Sequence, residues 1–211
     1  MTVDGPAGTG KSTVSRAVAA RLGLPHLDTG AFYRAAGVAA LRAGIADEDV
    51  DGLVDLIGST SFDQVEGRMF LEGEDVSDEI RTAEATAASS RVSAHPEVRR
   101  LLVEHQRDWV LRHDQGAVVE GRDIGSVVFP DATVKVYLDA RPEVRAGRRA
   151  DQTGEDLASV VAEIEERDRR DTTREASPLT VPSGAIVVDT SDLTFDQVVD
   201  HVVELVETAS G

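Results

Sequence analysis

The sequence predicts an α/β fold, a mostly parallel sheet flanked by helices, and three observations carry that expectation. Short apolar strands alternate with amphipathic helices along most of the chain. Strands separated by helices need crossover connections, so they pair in parallel and are covered on both faces. A glycine-rich turn joins the first strand to the first helix. Finally, residues 61–76 hold three very short strands split by turns, the pattern of a small antiparallel insertion rather than a second domain. At 211 residues the chain suits one compact domain with insertions.

In chain order, residues 1–4 read as the end of a strand; so few residues leave an earlier start of the native chain open. Residues 5–10 form a turn, and 11–22 a helix with Val14, Val18 and Leu22 on one face. Gly23 is placed to end that helix in the left-handed conformation. Residues 24–28 are a second apolar stretch, and the helix after Thr29-Gly30 carries Phe32, Tyr33 and Val38. The insertion is expected as strands 61–65, 68–71 and 75–76, with turns at Glu66-Gly67 and Glu72-Gly73. Residues 82–92 form an alanine-rich helix. Pro96 opens another, whose Val98, Leu101, Leu102, His105 and Trp109 share a face. Strands follow at 117–120 and 133–139, with a loop at Gly121-Arg122-Asp123. A helix begins at Pro142, a second spans 156–173, and Pro178 and Pro182 mark a loop. A last strand, 185–189, leads to a helix over 194–206, where Thr194 and Gln197 form a capping box.

Charge narrows the function. The 22 basic residues face 39 acidic ones, a formal net charge of −17. Bulk attraction to nucleic acid or an anionic membrane is thereby excluded, so neither is expected as a partner. An anionic ligand needs a local cationic pocket instead. There are no cysteines, which excludes disulfides, thiolate zinc sites and cysteine nucleophiles, and fits a reducing compartment. No apolar run approaches the ~18 residues of a membrane span. The N-terminus shows no basic segment followed by an apolar run, and a cytoplasmic location is expected. The five histidines lack metal-binding spacing, and Trp109 belongs to the core face of its helix.

Gly5-Pro6-Ala7-Gly8-Thr9-Gly10-Lys11-Ser12 matches the phosphate-binding pattern G-x-x-x-x-G-K-[ST] between a strand and a helix. Glycines let backbone N–H groups approach phosphate oxygens, and the helix beneath adds a partial positive end. Lys11 is one of only two lysines in the chain and supplies a full charge to the outer phosphates. Ser12 offers a hydroxyl to Mg²⁺. The loop alone does not separate kinases from GTPases or motor ATPases, but a guanine-reading Asn-Lys-x-Asp is missing around Lys135. Asp28-Thr29-Gly30-Ala31-Phe32-Tyr33-Arg34 follows the second strand. Ligands collect beyond the carboxyl ends of parallel strands, so Arg34 is expected to aim a bidentate donor into that crevice. Within 167–174, Arg167, Arg170, Asp171 and Arg174 share a helix face, and this segment is the expected lid.

Taken with Leu71-Glu72-Gly73-Glu74-Asp75-Val76, Glu79-Ile80-Arg81-Thr82, Gly121-Arg122-Asp123-Ile124-Gly125, 127–132 and the run 167–171 with Pro178-Leu179, these motifs resemble the bacterial cytidylate kinases over essentially the whole chain. The resemblance implies a phosphate-binding-loop nucleoside monophosphate kinase fold with a small three-stranded antiparallel insertion and a helical lid. It implies one domain, 1–211, with a monophosphate-binding lobe at roughly 31–95, a lid at roughly 148–177, and the remainder as core. The implied reaction moves the γ-phosphoryl group of ATP, as MgATP, to CMP or dCMP in a monomeric enzyme. The loop residues Gly5, Pro6, Ala7, Gly8, Thr9, Gly10, Lys11, Ser12 and Thr13 would hold ATP. Thr29, Tyr33, Arg34, Ser90, Arg99, Arg122, Asp123, Arg167, Asp171 and Arg174 would hold CMP. Among these, Arg34, Arg122 and Arg174 match positions that grip the acceptor phosphate, and Ser90, Arg99 and Asp123 positions that read cytosine. Asp171 matches a position near the ribose. Lys11, Arg122, Arg170 and Arg174 are the expected catalytic cations. Other small-molecule kinases of the same scaffold, of adenylate or shikimate type, are the nearest rivals.

Overall fold

The computed structural model describes residues 1–173 and 177–210, apart from the side chains of Thr153 and Ser210. In chain order the elements are β1 (Thr2–Asp4), α1 (Lys11–Leu22), β2 (His26–Asp28), α2 (Thr29–Ala43), α3 (Val50–Ser59), β3 (Phe62–Val65), β4 (Arg68–Leu71) and β5 (Glu74–Asp75). They continue with α4 (Ala83–Val92), α5 (Pro96–Leu111), β6 (Val118–Glu120), β7 (Lys135–Asp139), α6 (Pro142–Thr153), α7 (Leu157–Thr173), β8 (Ile186–Asp189) and α8 (Phe195–Ser210). The chain divides into two compact units, residues 1–26 with 116–211, and residues 27–115.

The first unit is built on a five-stranded sheet of order β2-β6-β1-β7-β8. β1 pairs in parallel with both β6 and β7, and β7 with β8. Val3, Val118, Val136, Leu138 and Val188 from the strands close a core with Val14 and Val18 of α1 and Val199 and Val202 of α8. β6 and β7, inside the sheet, read as near-continuous apolar runs because both faces are covered. The capping box forms as expected at the start of α8. Gln197 N–H donates to Thr194 Oγ1 at 3.3 Å, and Thr194 N–H to Gln197 Oε1 at 2.9 Å.

The second unit packs α2 against α4, and Gly37 permits the close approach, since a Cβ there would lie 2.7 Å from Ser89 N and 3.1 Å from Ala85 O. Its antiparallel sheet has the order β3-β4-β5. The third strand is one residue earlier than its expected 75–76. Glu66 and Glu72 precede Gly67 and Gly73 at φ of +50° and +77°, the left-handed pair that a two-residue hairpin turn needs. Trp109 is buried, its indole N–H donating to Gln64 O at 3.0 Å. Helix α3 is an addition to the expected elements. Asp49 caps it by accepting from Gly52 N–H, and it buries Leu53 and Ile57. Among the described residues no helix is long and apolar enough to cross a membrane.

Candidate active site

The loop between β1 and α1 begins at Gly5, with φ +146°. A Cβ there would lie 2.1 Å from the Leu138 carbonyl oxygen, so only glycine lets the chain leave the sheet this close to β7. Helix α1 then starts with no acidic side chain in its first turn, leaving its positive end for an anion. Lys11 is buried, and its Nζ donates to Pro6 O at 2.6 Å. Loss of water on burial pushes the ammonium well below the usual lysine range. The charges of Arg122 and Arg167 push the same way, against the opposing pull of Glu120 and Asp4. An ammonium so poorly solvated is primed to take an anionic partner.

Ser12 Oγ donates to Glu120 Oε2 at 2.8 Å, and Glu120 Oε1 lies 3.2 Å from His26 Nε2. A hydroxyl beside a carboxylate is a hard-oxygen pair that fits Mg²⁺. Among the described residues no group of three histidine, cysteine or acidic side chains is placed to hold a metal by itself.

The turn after β6 brings two further predicted residues to the same loop. Gly121 N–H donates to Val3 O at 3.0 Å, keeping the chain in register with β1. Arg122 then donates through Nη1 to Gly5 O, and its Nε lies 2.9 Å from Asp171 Oδ2. Asp123 is buried beside it. Residues 124–128, to which the sequence reading assigned no element, form one π-helical turn.

The predicted lid face is only partly assembled. Asp171 meets Arg122, and the charge of Arg167 is felt at Lys11. Arg170 is exposed and lies 3.3 Å from Glu166 Oε1, so its charge is taken up along its own helix. Arg174 lies outside the described residues. Two residues that sequence reasoning missed hold α6 and α7 to the glycine-rich loop. Asp168 Oδ1 accepts from Ala7 N–H at 3.1 Å, and Arg145 Nη1 donates to Ala7 O at 3.0 Å. Arg145 and Asp168 also pair with one another. The Ala7 methyl packs with Ala146, Val160 and Ile164. Pairing to a loop more than a hundred residues away leaves no local trace in sequence.

In the second unit, Asp28 caps α2 by accepting from Ala31 N–H at 3.1 Å, and its other oxygen accepts from Arg34 Nη2 at 3.1 Å. Arg34 is thus held next to the start of its own helix. Thr29 is buried. The Arg99 guanidinium, also buried, sits 5.0 Å from the Tyr33 ring centroid, a cation–π arrangement. Ser90 is exposed on α4 with its hydroxyl donating to Thr86 O at 3.2 Å. His95, His105 and His113 each contact a backbone carbonyl, of Asp47, Ile57 and Trp109, in keeping with structural roles.

A model of the family described as cytidylate kinase matches residues 1–208. The chain is 48% identical to the cytidylate kinase of Mycobacterium leprae (strain Br4923), with 100% of this chain and 96% of that one covered. It is 49% identical to that of Mycobacterium avium (strain 104), at the same coverage. In three dimensions it resembles the crystal structure of an uncharacterized protein from Eubacterium ventriosum ATCC 27560. That likeness has a TM-score of 0.54 at 10% identity, covers 98% of this chain and 97% of that one, and bears on the fold alone.

Proposed function

The chain belongs to the cytidylate kinase family, whose members are nucleotide kinases, and from that premise we propose that it transfers the γ-phosphoryl group of ATP to CMP or dCMP. The observation that carries the reading is the gathering of Lys11, Arg122 and Arg167 around one glycine-rich loop in a protein of net charge −17. Cations kept together against their mutual repulsion are suited to a polyanion.

In this reading residues 5–13 hold ATP, with Lys11 on its outer phosphates. Ser12 would hold Mg²⁺, which when bound neutralises charge on the donor phosphates. Arg34, Arg122 and Arg174 are assigned to the acceptor phosphate. Asp123 accepts from the cytosine amino group, Arg99 and Ser90 complete the base edge, and Tyr33 walls it. Asp171 accepts from a ribose hydroxyl, while Thr29 and Arg167 complete the acceptor side. The acceptor is already ionised at neutral pH, so the transfer needs no general base. The protein's work is alignment and charge neutralisation. Arg170 and Arg174 are assigned to the transferring group, and residues 148–177 to a lid that excludes water. Residues 31–95 are assigned to the acceptor lobe and the remainder to the core of one domain. A cytoplasmic monomer, acting on small molecules without nucleic acid or membrane, completes the proposal.

Steady-state assay with ATP against CMP, dCMP, UMP, AMP, dTMP and shikimate tests it. CMP and dCMP should give the highest kcat/KM. Preference for AMP, UMP or shikimate would overturn the assignment.

A further inference from the structure

Asp4 closes β1 with a carboxylate that is 0% exposed, and the transfer as described makes no use of it. Its Oδ1 accepts from Ile124 N–H and its Oδ2 from Gly125 N–H, both at 2.8 Å. These are the first two amides of the π turn, donors that a helical turn does not satisfy from within. A Cβ on Gly125 would lie 3.2 Å from Asp4 Oδ2 and 2.8 Å from Thr2 Oγ1, so the peptide reaches the carboxylate only because position 125 is glycine.

The contacts form a series. Gly121 N–H bonds Val3 O, Arg122 bonds Gly5 O, and Ile124 and Gly125 bond the Asp4 side chain. The five residues 121–125 are therefore stitched to residues 3–5, and Arg122 and Asp123 lie inside the stitched segment. Asp123 O and Ile124 O accept from the N–H groups of Val127, Val128 and Phe129 within the turn itself, while the Asp4 bonds tie its 124–125 end to β1.

We propose that Asp4 is a positioning residue for the acceptor side, whose carboxylate fixes the 121–125 turn and thereby the directions of Arg122 and Asp123. This rests on the acceptor roles given to those two residues above. The chemistry of the pair of bonds requires an acceptor at both oxygens, which a carboxylate has and a carboxamide lacks. The Asp4 pKa is raised to about 6, by burial first and then by the nearby Asp123 charge, against the two N–H donors and Lys11, which lower it. The latch is therefore ionised, and complete, at neutral pH.

The experiment is Asp4→Asn, with separate KM values for CMP and ATP and the CMP-to-UMP ratio of kcat/KM. One amide N–H₂ would then face an N–H donor. The expected result is a CMP KM raised by about 10-fold or more with the ATP KM changed by less than about 2-fold, and a narrowed CMP-to-UMP ratio. An equal rise in both KM values would make Asp4 a general support of the strand, and an unchanged CMP KM would remove the role; either overturns the proposal. Gly125→Ala attacks the same bonds from the other side and should give the same split. If neither variant folds, amide exchange in the wild-type protein decides. Ile124 and Gly125 should be protected at neutral pH, and further protected by CMP alone but not by ATP alone. Fast exchange at these amides, or no response to CMP, overturns the latch. A wild-type enzyme that does not prefer CMP would instead refute the acceptor assignment, and the exchange of the two amides in the free protein would still read the latch.

Discussion

Replacing Lys11 with methionine should destroy transfer and stabilise the free protein. The ammonium is buried, and burial together with Arg122 and Arg167 holds its pKa well below the lysine range. Its structural return is the bond to Pro6 O at 2.6 Å. Exchanging buried ion pairs for well-packed apolar side chains of similar volume is often neutral or stabilises by about 1–4 kcal/mol, and the same sign is expected for a buried ammonium bonded to a carbonyl. Leaving the Pro6 carbonyl without its donor takes back about 1 kcal/mol. The net gain is then up to about 3 kcal/mol, or up to about 12 °C in Tm at about 2–4 °C per kcal/mol for a chain of this size. The sign with pH is fixed by linkage. A lysine whose folded pKa is depressed binds its proton less tightly when folded, so the unfolded chain holds more protons in the window between the folded and unfolded pKa values. Stability of the wild type therefore rises with pH across that window, and the advantage of the methionine variant shrinks toward the unfolded pKa, about 10.4. Thermal unfolding followed by circular dichroism from pH 6 to 9.5, beside a coupled ADP-release assay, measures both halves. A variant less stable than wild type at pH 7 would show that the Lys11–Pro6 bond outweighs the burial of the charge, and would refute the reasoning.

Three further outcomes are expected. Arg122→Lys replaces a fork that serves Gly5 O and Asp171 with a point charge, so the CMP KM should rise and kcat fall; a change confined to the ATP KM would assign Arg122 to the donor. Asp123→Asn can turn an amide donor toward a carbonyl at C4, so the preference for CMP over UMP should narrow by about 30- to 150-fold, the equivalent of about 2–3 kcal/mol; an unchanged ratio would mean that other groups read the base. ATP binding should take up protons at pH values between the free and the ATP-bound Lys11 pKa, because phosphates raise the depressed pKa. Calorimetry in two buffers of different ionisation enthalpy reads that uptake, and the same uptake in Lys11→Met would exclude Lys11 as its source.

What was legible in the sequence was local. The donor loop is eight contiguous residues whose types each answer one steric or electrostatic demand. The Thr194–Gln197 cap and the Glu-Gly turns are fixed by residues within a few positions of each other. Helix α3 was missed although Asp49, Leu53 and Ile57 have helical spacing, because Gly52 and Gly58 dilute it and packing decides the outcome. The π turn was missed for a different reason: its first amides bond Asp4, 120 and 121 positions away. The lid face at 167–174 was read as one cationic surface, but helical spacing says only which residues neighbour one another. Glu166 lies one turn before Arg170 and draws its charge back along the helix. Glu120 was visible only as a carboxylate ending a strand, and its bond to Ser12 depends on β6 lying beside β1.

The sheet ends at β8, where Ile186 is 42% and Val187 53% exposed. A terminal strand with apolar side chains in water is a template on which a second chain can add by backbone pairing. Strand additions of this kind require two copies to approach, and each copy carries a net charge of −17. Mutual repulsion is thus the colloidal guard of this edge, and it acts over about 10 Å at 0.1 M salt but only about 3 Å at 1 M. The protein should accordingly tolerate high concentration in dilute buffer and lose that tolerance as salt is added, the reverse of the behaviour of proteins held apart by short-range hydration alone.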